Sequence, residues 1–218
     1  VLMLGLNVNA SAATCKLNAN VTYSCYENGK LVRNKWITQG GNRYYVNSSG
    51  IRQTGWLFSG GKWYFFIKSN GALLKNSWLT SEKKIYCAGS DGAMYAGGMR
   101  RINNRSGSYY YAFSARGIRL TGMRSYGGKT YFFETKADGM RPDQSGQGRM
   151  VTSQWRTWKN NQYYFTSSGA AAKNQSVGLY YVNAYGARVK NTWKGSRYYG
   201  STGKAVSGLQ TIGGVYYY

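Results

Sequence analysis

Glycine returns along this 218-residue chain at a near-constant interval, and that interval constrains the fold more than any other feature. The positions are Gly29, Gly50, Gly71, Gly92, Gly117, Gly139, Gly169, Gly186 and Gly203, separated by 21, 21, 21, 25, 22, 30, 17 and 17 residues. Three equal intervals in succession mark an internal repeat, and a period of this length means one supersecondary unit per repeat.

The residues around each glycine agree with one another. Six positions before it stand Tyr23, Tyr44, Phe65, Tyr86, Tyr111, Phe133, Tyr163 and Tyr180; four before it stand Cys25, Val46, Ile67, Ala88, Phe113, Thr135, Phe165 and Val182. Alternate residues of a strand share a face, so the two columns predict one buried stripe. Asn28, Ser49, Asn70, Asp91, Asp138 or Ser168 precedes the glycine, which is hairpin-turn chemistry. Val32, Leu74, Leu120, Val189 and Val206 follow three residues later and are expected to point inward. A bulky anchor comes six or seven residues past the glycine: Trp36, Trp56, Trp78, Met99, Met123, Trp193 or Leu209. A second small turn often follows, as at Gly40-Gly41 and Gly60-Gly61. The unit is therefore strand, turn, strand, anchor, turn. One such hairpin cannot bury its aromatic face alone, so the expected fold is all-β, a solenoid of stacked β-hairpins from ~21-residue repeats.

Composition bounds the chemistry. With no histidine there is no Ser-His-Asp or Cys-His pair and no imidazole metal ligand, and six carboxylates leave little for acid/base work or a calcium cage. No enzyme activity, cofactor or metal site is expected. Gly127–Thr130 (GGKT) looks like the tail of a phosphate loop, but the same Gly-Gly-Lys stands at Gly60–Lys62, so a hairpin turn explains both.

Four segments are expected. Residues 1–13 combine an apolar run with the small residues Ala10, Ser11 and Ala12, in the order of the end of a secretory signal. Residues 14–139 form a first sub-array, 140–154 an insertion loop holding the only proline, and 155–218 a second sub-array. Val215–Tyr218 reads as the opening strand of a further unit without its turn. Nothing reaches the ~18 apolar residues of a spanning helix. Cys15 and Cys25 are spaced to close a short disulfide loop; Cys87, at a strand position filled by Tyr45, Phe66, Tyr164 and Tyr181 elsewhere, reads as a packed residue.

At Gly55–Phe66 (GWLFSGGKWYFF), followed by Ser69, Asn70 and Gly71, the pattern resembles the cell-wall-binding repeat of choline-binding proteins and glucan-binding domains of Gram-positive surface and secreted proteins. The resemblance runs from about Tyr23 to Tyr218 and implies ligand sites between successive hairpins. In choline-binding members a tryptophan of the GW pair, the tryptophan of the WYY run and a tyrosine of the next unit surround the quaternary ammonium. Carried over, these are Trp56, Trp63 and Tyr86; at the other WYY tryptophan positions stand Arg43, Ile85, Thr130, Gln162 and Leu179. Trp56, Trp63 and Trp78 also read as packing anchors, which a stack of hairpins needs in any case.

Lys and Arg number 29 against 6 Asp and Glu, a net charge of +23. By strand alternation, residues two and four past each glycine should face away from the inward column: Arg33, Arg52, Lys75, Arg119, Arg141, Lys173, Arg188 and Lys190. In register these would form a basic ladder, costly unless a polyanion meets it. The expected partner is an envelope or matrix polysaccharide, a teichoic-acid-like polymer or another polyanion. A net positive field also works against a cationic ligand such as choline. The sequence thus reads as a non-catalytic binding module, secreted or on a bacterial surface. The rival reading is a structural protein self-associating into a fibre through an unpaired terminal strand.

Overall fold

A computed structural model describes residues 13–135 and 147–217. The chain divides into two compact units, Val1–Tyr95 and Ala96–Tyr218. The first contains β1 (Thr14–Leu17), β2 (Tyr23–Glu27), β3 (Lys30–Leu31), β4 (Lys35–Gln39), β5 (Asn42–Val46), β6 (Gly55–Ser59), β7 (Lys62–Phe66), β8 (Ser77–Ser81) and β9 (Lys84–Ala88). The second contains β10 (Gly98–Asn104), β11 (Gly107–Phe113), β12 (Arg119–Leu120), β13 (Gly122–Tyr126), β14 (Lys129–Phe133), β15 (Gln154–Trp158), β16 (Asn161–Phe165), β17 (Gln175–Val177), β18 (Tyr180–Val182), β19 (Thr192–Lys194), β20 (Arg197–Tyr199), β21 (Gln210–Ile212) and β22 (Val215–Tyr217). Each sheet is a local antiparallel hairpin of two or three strands, so the all-β hairpin array is the fold of the chain.

The hairpin turns lie elsewhere than the periodic glycine predicts. Gly40-Gly41, Gly60-Gly61, Gly127-Gly128 and Gly213-Gly214 form two-residue hairpin loops, and both residues of each have positive φ. Glu82-Lys83 and Lys159-Asn160 adopt the same conformation without glycine. Positive φ at both central residues matches the twist of the flanking strands. Among the described periodic glycines only Gly29, with Asn28, turns such a hairpin, between β2 and β3. The others lie in the wider loops that lead out of a hairpin. At Gly50 a Cβ would stand 2.6 Å from Leu31, at Gly92 2.5 Å from Leu73 and at Gly169 2.5 Å from Met150. The period therefore records one repeat pressing on the preceding one. Gly148 plays this part against Arg119, and its distance to Gly169 is again 21 residues. Gly139 lies outside the described residues, as do residues 1–12 of the signal-like segment and residues 140–146 of the 140–154 insertion.

Between hairpins the chain runs extended and stitches two repeats together. Leu74, Val151, Ala172, Val189 and Val206 donate their N–H groups to Phe65, Phe132, Tyr164, Tyr181 and Tyr198 of their own hairpin. The residue just before each donates to the previous hairpin: Leu73 to Arg43, Met150 to Tyr110, Ala171 to Thr130, Arg188 to Gln162 and Ala205 to Leu179. An extended segment held from both sides lies between two hairpins, so its side chains have a repeat on either hand to pack against.

The core of each unit is a column of side chains ending the second strand of its hairpins, all buried: Val46, Phe66 and Ala88 in the first, and Phe113, Phe133, Phe165, Val182 and Tyr199 in the second. Each large apolar member contributes about 1.5–3 kcal/mol. The expected column is off by one in the hairpin β6–β7, where Tyr64 and Phe66 hold the places assigned to Phe65 and Ile67. The loop after Phe66 is one residue longer there, as the Phe66–Leu73 and Val46–Arg52 bridges show. Thr135 is exposed, and Phe133 fills its place in the column. Leu209 is no anchor, being 64% exposed.

Cys15 and Cys25 form a disulfide across β1 and β2, at the cross-strand position that Trp36 and Tyr45 occupy in the hairpin β4–β5. Cys87 is buried opposite Trp78, as a packed residue should be, in register with Tyr45, Phe65 and Tyr164. Val215–Tyr217 is the second strand of a hairpin with β21, not the opening strand of a further unit.

Candidate functional site

One face of a hairpin meets the opposite face of the next. The anchor on the first strand thereby meets an aromatic of the following hairpin: Trp36 lies 5.0 Å from Tyr64, Trp56 4.8 Å from Tyr86 and Trp155 5.4 Å from Tyr180, ring centre to ring centre. All three pairs are edge-on, the arrangement the ring quadrupoles favour.

At Trp56 the slot has a third wall. The 60–61 turn sets β6 and β7 in a register that places Trp63 one step from Trp56, opposite Phe58. Their rings are 6.0 Å apart at 89°, while Trp56 meets Tyr86 at 67°. The Trp56 indole N–H donates to Ser81 Oγ at 3.3 Å, which locks the ring. Trp63 remains 44% exposed, so the cage opens to solvent. The three residues that the family pattern singled out are thus brought together. Sequence reasoning missed Phe58, whose ring lies 5.1 Å from Trp63 and which is 56% exposed. The signal was available: the same strand position holds Thr38, Thr80, Ser125 or Thr157 in other hairpins. Trp56 thus meets Trp63 and Tyr86 edge-on, and the three rings form one partly exposed aromatic cluster of the kind that suits a weakly hydrated organic cation.

The basic ladder is divided by the structure. Arg33, Lys75, Lys173 and Lys190, four residues past their glycines, are exposed as expected. Arg33 donates to the Ser48 carbonyl at 3.2 Å. Arg52, Arg119 and Arg188, two residues past, point inward instead. The reason is that the linker runs between two hairpins, so these side chains meet groups of the neighbouring repeat. Arg119 is 8% exposed, donates to the Gln147 carbonyl at 3.0 Å and to its side-chain oxygen at 2.7 Å, and burial lowers its pKa to about 10. Arg52 donates to Gln39 Oε1 and lies over tyrosine rings, as does Arg188. Arg141 lies outside the described residues. In the second unit an unforeseen set, Arg100, Arg124 and Arg156, follows the anchor position of three successive hairpins. Each donates to the carbonyl of the residue before it at 2.8 or 2.9 Å. Arg156 is also paired with Glu134 at 2.9 Å. Among the described residues no three of His, Cys, Asp and Glu come together to hold a metal.

Residues 32–78 match the choline-binding repeat family and residues 153–171 a cell wall binding repeat. No curated protein sequence matches the chain. Among solved structures, the chain is similar to the modular autolysin LytC of Streptococcus pneumoniae in complex with a synthetic peptidoglycan ligand. That similarity is 22% identity over 93% of this chain and 44% of LytC, with a TM-score of 0.73, and it concerns the fold. Choline binding protein F of the same organism is 26% identical over 85% of this chain and 62% of its own, with a TM-score of 0.62. CbpJ of S. pneumoniae TIGR4 is 27% identical over 82% and 58%, with a TM-score of 0.61. The chain spans less than half of LytC and less than two thirds of the other two.

Proposed function

Since the chain carries cell-wall-binding repeats of the choline-binding type, we propose that it is a non-catalytic attachment module for a Gram-positive envelope. It grips quaternary-ammonium groups carried by an anionic wall polymer. The observation that carries this reading is the contact of Trp56 with both Trp63 and Tyr86, which joins rings of two hairpins beside the exposed Trp63. The exposed lysines and arginines, Arg33, Lys75, Lys173 and Lys190 among them, supply the second contact, to the negative backbone of the same polymer. This joins two features that oppose each other in isolation: a positive surface repels a free cationic ligand but attracts a polyanion that bears one. Peptidoglycan accompanies two of the similar structures, LytC and choline binding protein F, which agrees with a wall ligand for this chain. On this reading the protein acts outside the cell.

Co-sedimentation with purified Gram-positive walls, teichoic acid, dextran and DNA across a salt series tests the reading. Walls and choline-bearing teichoic acid should retain the protein and free choline should release it, with dextran inert. Failure to bind all four at low salt would overturn it. So would wall binding that neither free choline nor Trp63→Ala weakens.

A further inference from the structure

Among the described residues four inter-hairpin slots superpose by strand register, and what fills them differs; Trp193 also meets Tyr217 of the next hairpin at 4.9 Å, but from a different register position. The slots pair Tyr23 with Tyr44, Trp36 with Tyr64, Trp56 with Tyr86 and Trp155 with Tyr180. In the first the anchor place belongs to disulfide-bonded Cys15. Tyr23 there stands where Arg43 and Trp63 stand later, because their carbonyls accept from Arg52, Leu73 and Met94 in turn.

Three slots contain a guanidinium of the chain. Arg52 places its Cζ 4.6 Å from the ring centre of Tyr23 and 3.8 Å from that of Tyr44. Arg188, from the equivalent linker position, lies 4.7 Å from Tyr180 and 5.9 Å from Trp155. Arg43 arrives from the strand and lies 4.4 Å over Trp36. The Nε atoms of Arg52 and Arg188 are buried, so these groups are enclosed in the stack. At Trp56 both positions that could deliver a guanidinium are changed. Trp63 stands in the place of Arg43 and Met94 in the place of Arg52, and among the described residues no Lys or Arg lies over Trp56, Trp63 or Tyr86.

We infer that Arg43, Arg52 and Arg188 are built-in ligands that close three of the four slots, leaving the Trp56–Trp63–Tyr86 slot to admit an external quaternary ammonium. The inference rests on the reading of that cage as an ammonium site. A planar guanidinium on an aromatic face makes the contact an ammonium ligand would make. Because it is tethered, it holds the slot at high effective concentration, and a second cation beside it would be repelled. Slot by slot, two sequence positions decide whether a repeat binds or only packs.

Calorimetric titration of the full chain with tetramethylammonium reads this directly. Arg43 is exposed on its strand, so Arg43→Trp, which copies Trp63, leaves the core alone. It should raise the stoichiometry by one site. In a Trp63→Ala background, which removes the open slot, it should restore one. Arg188→Leu, copying Leu73 at the same linker position, should add a site at Trp155 by an independent route, with circular dichroism verifying the fold. If Trp63→Ala removes one site but neither arginine variant adds any, the slots are not closed by arginine, although the cage reading stands. If the native chain binds nothing while Arg43→Trp binds one equivalent, the arginine stopper holds and the cage reading fails. If neither binds, both fall.

Discussion

Trp63 does two things that separate cleanly in a mutant. It forms one wall of the cage, yet at 44% exposure it contributes little to the core. Trp63→Ala should therefore cost about 1–2 kcal/mol in tetramethylammonium binding, roughly 5–30-fold in affinity, with little change in melting temperature. Trp56→Ala should lose binding and also about 2 kcal/mol of stability, because Trp56 packs on Phe65 and Tyr86 as well. Titration calorimetry paired with thermal melts distinguishes the two. Cys87 supplies a second test. Burial pushes its thiol up to about 12, so the folded state favours the protonated form. Its contribution is fully present below the ordinary thiol pKa and is lost as pH rises from about 9 towards 12. The native thiol should resist iodoacetamide at pH 8 and react once unfolded, and Cys87→Ala should flatten the fall of melting temperature above pH 9. The packed cysteine was legible from its position in a repeat, the disulfide from the short spacing of its cysteines, and the aromatic trio from the resemblance to the cell-wall-binding repeat. The inward turn of Arg52, Arg119 and Arg188 was not. Alternation identifies two faces of a strand but does not say that one of them is wet, and a guanidinium can satisfy itself on aromatic rings and carbonyls.

At the level of the hairpin, the periodic glycine and the turn glycine proved to have different duties. Gly92→Ala places a methyl group 2.5 Å from Leu73 at a φ of +84°, so both packing and backbone resist it. Gly41→Ala, at a φ of +74° with open space around it, meets the backbone cost alone. The expected losses are about 2–4 kcal/mol for the first and about 1 kcal/mol for the second, read from urea melts. Equal losses would mean that the period reflects backbone conformation and not the contact between repeats. The hairpins themselves were legible from aromatic columns and paired glycines. Turns built from Glu82-Lys83 and Lys159-Asn160 were hidden because their positive φ is imposed by the strands on either side and not by the residues. The one-residue slip at Phe66 had a related cause: with Phe65, Phe66 and Ile67 all apolar, composition alone leaves the register open, and loop length decides it.

Over the molecule as a whole, 29 basic residues face 6 acidic ones, and ion pairs engage Glu27, Asp91 and Glu134. Local pairing cannot neutralise +23, so the fold works against its own field, and so does any free cation approaching the Trp56 cage. The screening length falls from about 30 Å at 0.01 M salt to about 8 Å at 0.15 M. Three quantities should then move in different directions over that range. Melting temperature should rise as self-repulsion is screened. Tetramethylammonium affinity should rise several-fold, as the long-range field weakens while the contact between ring and cation stays short-ranged. Affinity for a polyanion without choline, such as DNA, should fall by about tenfold or more as counter-ion release loses its advantage. A choline-bearing wall polymer engages both kinds of contact, so its salt dependence should be shallower than that of DNA. Binding curves for the small cation, DNA and walls, taken at the same series of ionic strengths, check the prediction. A wall affinity that falls as steeply as that for DNA would leave the cage no part in attachment and make the interaction one of charge alone.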